Sequence, residues 1–166
     1  MTNHALYQGK YFSLHLNAHG TEYVCTGNAV MVVPLDEDNN IIFIREPAPA
    51  FADTALLLPA GETEPGEPHA DTANRELQEE IGFKAARLDF LAELRAFPKY
   101  LTVQTYAFLA RDLSPSRLKG DEDYAIESHR VPLTGFESLI DTGRLHDACA
   151  ISALYLARRF VQEKDV

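Results

Sequence analysis

Arg75-Glu76, followed closely by Glu79-Glu80, is the stretch of this chain with the most chemistry in it. On a helix the three glutamates, at i, i+3 and i+4, share one side. Each like-charge pair at that spacing destabilises a helix by about 0.3 kcal/mol, and by more where an adjoining core strips its water. Arg75 can reach Glu79 at i+4 or turn back toward Glu67, but one guanidinium does not neutralise three helix carboxylates and Glu67 together. Oxygen donors of this kind point to a hard divalent cation, Mg²⁺ or Mn²⁺, which keeps several waters and shares its shell with substrate phosphates. The chemistry expected of the cluster is a cation-loaded clamp on a pyrophosphate.

The element that must carry it is a helix expected over Pro68 to Ile81. Proline suits a first helical turn, where its missing N–H costs nothing, and Gly82 suits the position after a helix end. Ala70, Ala73, Leu77 and Ile81 then form a narrow apolar stripe for a core, with the glutamates on the adjoining arc. Upstream, Phe12, Leu14 and Leu16 alternate with Ser13, His15 and Asn17 as in a half-exposed strand, and a second short strand runs from Tyr23 to Thr26. Ala29 to Val33 and Ile41 to Ile44 are continuous apolar runs around a turn-rich Asp36 to Asn40, as in strands buried on both faces. Ala55 to Leu58 leads into the glutamate region. Beyond it, Leu88 to Ala96 and Leu101 to Ala110 read as strands joined through Phe97-Pro98-Lys99-Tyr100, followed by an acidic loop at Gly120 to Asp123. A short helix near Phe136 to Ile140 and a long one from Asp147 to Glu163 complete the chain. This order predicts an α/β fold with a mixed sheet sandwiched between helices.

At 166 residues the chain suits one domain, and its 46% hydrophobic content includes no run long enough to span a bilayer. The first residues show no charged head followed by an apolar core, so no signal peptide and no membrane partner are expected. Cys25 and Cys149 are too few for a disulfide framework, which fits a cytoplasmic setting. A net charge of −10 argues against a nucleic-acid partner and leaves a small anionic substrate whose charge metal ions offset. The histidines show no ligand spacing, and His69 is expected at the surface.

Written as a template, Gly61, five residues, Glu67, seven residues, Arg75-Glu76-Leu77, one residue, Glu79-Glu80, one residue and Gly82 before an apolar Phe83 is the Nudix box. The chain therefore resembles the Nudix hydrolases. The resemblance implies an α/β/α sandwich over 28–166, with 1–27 as an added pair of strands that commonly builds a homodimer in the ADP-ribose pyrophosphatase branch. Pro98, fifteen residues past Phe83, Tyr100 two residues later, and Ile44-Arg45-Glu46 with Leu58-Pro59-Ala60-Gly61 are similar to features of that branch. Leu118 to Glu122 taken with Pro98 and Tyr100 is most similar to bacterial members acting on ADP-ribose, NADH and diadenosine polyphosphates. Two positions depart from the branch, with Leu57 where a glutamate usually precedes Leu-Pro-Ala-Gly and no second arginine shortly after Arg45.

By this resemblance Glu76, Glu79 and Glu80, with the carbonyl of Ala60, hold the metal, Arg75 orients the carboxylates, and Glu67 anchors Arg75. Arg45, Pro98 and Tyr100 contact the nucleotide substrate, and a glutamate well past the box acts as general base, with Glu122 the choice and Asp123 or Glu127 the substitutes. The reaction implied is hydrolysis of an ADP-linked compound to AMP and a second phosphate monoester. A Nudix module that binds a nucleotide to regulate a partner, and an RNA 5′-end pyrophosphohydrolase, are the alternatives. A carboxylate and carbonyl metal site predicts that EDTA abolishes turnover and that Mg²⁺ or Mn²⁺ restores it. Full turnover after exhaustive chelation would contradict it.

Overall fold

The computed structural model describes residues 4–120, 124 and 126–164. Three short strands, β1 (His4–Gln8), β2 (Ser13–Leu16) and β3 (Glu22–Cys25), form a separate antiparallel sheet at the N-terminus. The strand pair expected there is thus three strands, because β1 pairs with β2 although all five of its residues are exposed and show no apolar alternation. The expected apolar face of β2 is also reversed at its start: Ser13 is buried and Phe12 is exposed. Ser13 Oγ lies 2.8 Å from His15 Nε2, so its hydroxyl has a partner within the strand.

The chain then runs through β4 (Ala29–Pro34), β5 (Asn40–Ala48), a 3₁₀ turn (Pro49–Phe51), β6 (Asp53–Leu57) and β7 (Ala60–Glu62) into α1 (His69–Glu76). A π turn (Leu77–Ile81) extends α1, and β8 (Phe83–Leu94), β9 (Thr105–Pro115), β10 (Glu127–Pro132), α2 (Glu137–Asp141) and α3 (Ala148–Lys164) follow. A mixed four-stranded sheet has the order β7-β4-β9-β8, with β4 and β9 parallel, and an antiparallel sheet has the order β10-β5-β6. The middle of the expected sandwich is therefore two sheets. The sequence does not mark β10, whose residues are exposed or half-buried and mostly polar.

Burial on both faces explains the apolar runs of β4 and β5. Val30, Val32, Ile42 and Ile44 pack with Ala73, Leu77 and Ile81 in one core layer. Met31, Val33, Ile41 and Phe43 pack with Leu139, Ala150, Ala153 and Leu154 in the other. Successive side chains of a strand point to opposite faces, so these two strands serve both layers at once. The N-terminal sheet joins the rest at the connection between β8 and β9, where Val24 N–H donates to the Tyr100 carbonyl (2.7 Å) and Thr102 N–H to the Val24 carbonyl (3.0 Å). Among the described residues no helix is long and apolar enough to cross a membrane.

Candidate active site

Pro68 is extended and caps α1, which makes His69 the first helical residue, one later than the sequence suggested. The buried positions of the helix fall into two rows spaced by four. Ala73, Leu77 and Ile81 enter the core, and Thr72, Glu76 and Glu80 lie beside them against β7. Ala70, expected in the apolar stripe, is exposed, and Thr72 is buried, because the face that meets the sheets is centred on the i+4 rows. The glutamates are more than neighbours of the core: Glu76 is 6% exposed and Glu80 is 3% exposed.

Local geometry shows why the flanking glycine and arginine are needed. A Cβ on Gly61 would stand 2.0 Å from Glu76 Oε1, so a larger residue there would push that carboxylate out of the position in which Arg75 holds it. Ala60 N–H donates to Glu80 Oε2 at 3.2 Å. Arg75 grips Glu67 as a fork, Nε to Oε1 at 3.2 Å and Nη2 to Oε2 at 3.3 Å. Its Nη1 also meets Glu76 Oε1 at 2.6 Å and Glu79 Oε2 at 3.1 Å, and its Nη2 donates to the Glu62 carbonyl at 3.1 Å. The Arg75 guanidinium holds the Glu67 carboxyl down at about 2, with further help from Thr72 and the Glu64 N–H. The same contact holds Arg75 protonated more firmly than an ordinary arginine.

The structure brings Arg75, Glu76, Glu79, Glu80, Ala60 and Glu67 together. Arg45 lies elsewhere: Ile42 and Ile44 face α1, whereas Arg45 follows Phe43 on the other face, donates to Thr54 Oγ1 (3.0 Å) and lines a cleft with Phe51, Arg144 and His146. Pro98 and Tyr100 sit at the tip of the connection between β8 and β9, in a groove with Asn17, Thr21 and Tyr23 of the N-terminal sheet. The Tyr100 ring packs against Phe97, with centroids 5.2 Å apart. Glu122 and Asp123 lie outside the described residues. Glu127 opens β10 and pairs in register with Arg45.

Several contributors carry no motif signal. His69 is not a surface residue: it is half-buried, its ring stacks on Tyr106 at 3.7 Å, and Nδ1 lies 3.3 Å from Thr63 Oγ1. Asn74 accepts from Ala85 N–H (2.8 Å) and donates to the Ala85 carbonyl (3.2 Å), pinning α1 to β8. Arg117 donates to the Glu79 carbonyl at 3.1 Å. No spacing rule reaches contacts made 11 and 38 residues away in sequence.

Among the described residues no three Asp, Glu, His or Cys side chains form a ready ligand cage, and Arg75 stands among Glu67, Glu76 and Glu79. The donors nevertheless fit a hard cation. They are carboxylates, those of Glu76 and Glu80 are withdrawn from water, and the Arg75 guanidinium meets the charge of Glu76.

Four likenesses relate this chain to known proteins. Residues 26–152 match the NUDIX domain. ADP compounds hydrolase NudE of Escherichia coli (strain K12) is 37% identical over 134 residues, 81% of this chain and 72% of that protein. ADP-ribose pyrophosphatase of Bacillus subtilis (strain 168) is 29% identical over 153 residues, 86% of this chain and 83% of that protein. A crystal structure of ADP compounds hydrolase superposes with a TM-score of 0.85 at 30% identity, covering 99% of this chain and 94% of that one.

The Arg75 and Glu67 pair predicts how acid acts on the fold. The folded Glu67 pKa is depressed from 4.5 to about 2, so its stabilisation is present above about pH 4.5 and is lost as pH falls toward about 2. The stability gap between the wild type and Glu67→Gln, measured by urea unfolding, should therefore narrow as pH drops through that window. A gap independent of pH would count against the pairing.

Proposed function

The chain belongs to the Nudix family, and from that premise we propose that it hydrolyses the pyrophosphate bond of an ADP-linked compound, ADP-ribose first, giving AMP and a second phosphate monoester. The observation that carries this reading is the buried pair Glu76 and Glu80 beside Gly61, with Arg75 tying Glu76 to Glu79 and Glu67, in a chain 37% identical to an ADP compounds hydrolase. NADH and diadenosine polyphosphates are the further candidate substrates, and a cytoplasmic location fits them. The net charge of −10 disfavours a long RNA substrate.

Glu76, Glu79 and Glu80, with the Ala60 carbonyl, would hold Mg²⁺, or Mn²⁺ in its place. A divalent cation bound there supplies positive charge against the pyrophosphate oxygens and acidifies a water. The rest falls to side chains. Arg75 fixes the direction of Glu76 and Glu79 by the bonds already described, and Glu67 fixes Arg75. Water attacks one phosphorus, its proton passes to the Glu122 carboxylate, and the bridging P–O bond breaks with its electron pair on the departing phosphate. Arg45, Pro98 and Tyr100 are assigned to the substrate, Arg45 to its terminal phosphate. Arg45 lies on the face of β5 away from α1, and Pro98 and Tyr100 lie beside the N-terminal sheet.

Leu6, Tyr7, Tyr11 and Phe12 are exposed on the N-terminal sheet and its connecting turn, a surface suited to a two-fold partner. Light scattering at micromolar protein should give the mass of a homodimer, and a monomeric mass would oppose the assignment.

The reaction itself is tested by variants. Glu80→Gln keeps size and removes a charge, so kcat with ADP-ribose should fall by several orders of magnitude, together with metal affinity. Glu122→Gln should lower kcat by about 10²–10⁴ with metal affinity nearly unchanged. Wild-type activity in Glu80→Gln would end the pyrophosphatase reading, and a silent Glu122→Gln would move the base to Asp123 or Glu127. Binding of ADP-ribose without release of AMP would make the protein a regulator instead.

A further inference from the structure

Helix α1 does not end as an α-helix ends. Its last residues, Leu77–Ile81, wind as a π turn closed by Gly82 N–H on the Leu77 carbonyl. An i→i+5 turn accommodates an extra residue, and it persists where neighbouring groups take up the bonds it leaves open. The chain directly after β9 supplies those groups. Ser116 N–H donates to the Gly82 carbonyl (2.9 Å), Ser116 Oγ to Gln78 Oε1 (2.9 Å) and Leu118 N–H to the Gln78 carbonyl (3.1 Å). Arg117 Nη1 donates to the Glu79 carbonyl (3.1 Å).

Gly82 admits this arrangement in two ways. Its φ of +75° favours glycine, and a Cβ there would stand 2.9 Å from Arg117 Nε and 3.0 Å from Nη2. The glycine that closes the box thus serves both the backbone turn and the approach of the guanidinium.

We propose that Arg117 is a positioning residue for the glutamate cluster: through the Glu79 carbonyl it holds the π turn, and with it the directions of the Glu79 and Glu80 carboxylates. The proposal rests on the pyrophosphatase reading, in which those carboxylates hold a cation. Two arginines then act on one cluster in different ways. Arg75 binds carboxylate oxygens, for which a cation competes, whereas Arg117 binds a main-chain oxygen and keeps its contact when the carboxylates are engaged. Its charge also stands at the helix C-terminus, where the backbone dipole favours a cation.

The test compares full-length wild type, Arg117→Ala and Arg117→Lys. Mn²⁺ affinity of the free protein is read by electron paramagnetic resonance, kcat and KM with ADP-ribose at saturating Mg²⁺, and Tm by calorimetry. Arg117→Ala should weaken Mn²⁺ binding about 10-fold and lower kcat by a similar factor while KM stays within about 2-fold. Arg117→Lys, which still offers a donor to the carbonyl, should recover most of both. Wild-type Mn²⁺ affinity in Arg117→Ala, or a lysine variant as impaired as alanine, would overturn the proposal. Should Arg117→Ala unfold, Arg117→Met, which keeps an unbranched stem but has no donor, serves in its place with the same outcomes. If the wild type hydrolyses no ADP compound, the pyrophosphatase reading falls, but the Mn²⁺ comparison still decides on Arg117.

Discussion

Two carboxylates facing inward from one helix are the constraint around which the rest of this molecule is arranged. Glu76 and Glu80 sit four residues apart in a buried row with Glu79 close by, and like charges withdrawn from water repel more strongly than they would in it. The apolar row beside them, Ala73, Leu77 and Ile81, carries no charge to set against theirs. Arg75 bridges the row to Glu67, the amide of Ala60 turns toward Glu80, and Gly61 has no Cβ to push the Glu76 carboxylate aside. Each of these makes sense only with the glutamates held where they are.

Holding them there requires that the helix not roll. If it rolled, the apolar row of Ala73, Leu77 and Ile81 would leave its layer as the acidic row left β7. Asn74 prevents this by treating Ala85 as a strand neighbour would, giving and accepting one hydrogen bond with its backbone. Beyond the helix end, the segment at Ser116 to Leu118 fastens the other terminus. The helix is thereby tied to the beginning of β8 and to the end of β9, which are themselves paired from Phe83 and Pro115 onward.

The local parts of this arrangement were legible in the sequence, and the distant ones were not. The reach of Arg75 to Glu79 and back to Glu67 follows from helical spacing, and both contacts are present. The doubly apolar runs of β4 and β5 correctly foretold strands buried on two faces. Ala70 misled because the wheel admits any apolar residue near the stripe, whereas the sheets select the rows spaced by four, which Thr72 can fill by bonding back toward the Pro68 carbonyl. β1 and β10 escaped because strands with little burial need only a partner edge, and edge pairing leaves no mark on composition. Asn74, Arg117 and the stacking of His69 on Tyr106 depend on chain segments that meet only after folding.

The parallel pairing of β4 with β9 bears on the order in which this chain can fold. Its partners, and the Asn28 and Gln104 side chains that flank them, are 76 residues apart, and the whole helix with its glutamates lies in the intervening loop. Loop-closure entropy rises slowly with length, but it must be met before any contact of that pair is made, and pairings of such separation are slow to form. Of the apolar residues beneath the helix, Val30, Val32, Ile42, Ile44 and Ala85 are nearer to it along the chain, whereas Phe108 and Ala110 arrive only with that closure. The apolar layer beneath the carboxylates is thus completed only when β9 lies beside β4. A nascent chain can keep its acidic segment hydrated until the sheet beneath it exists.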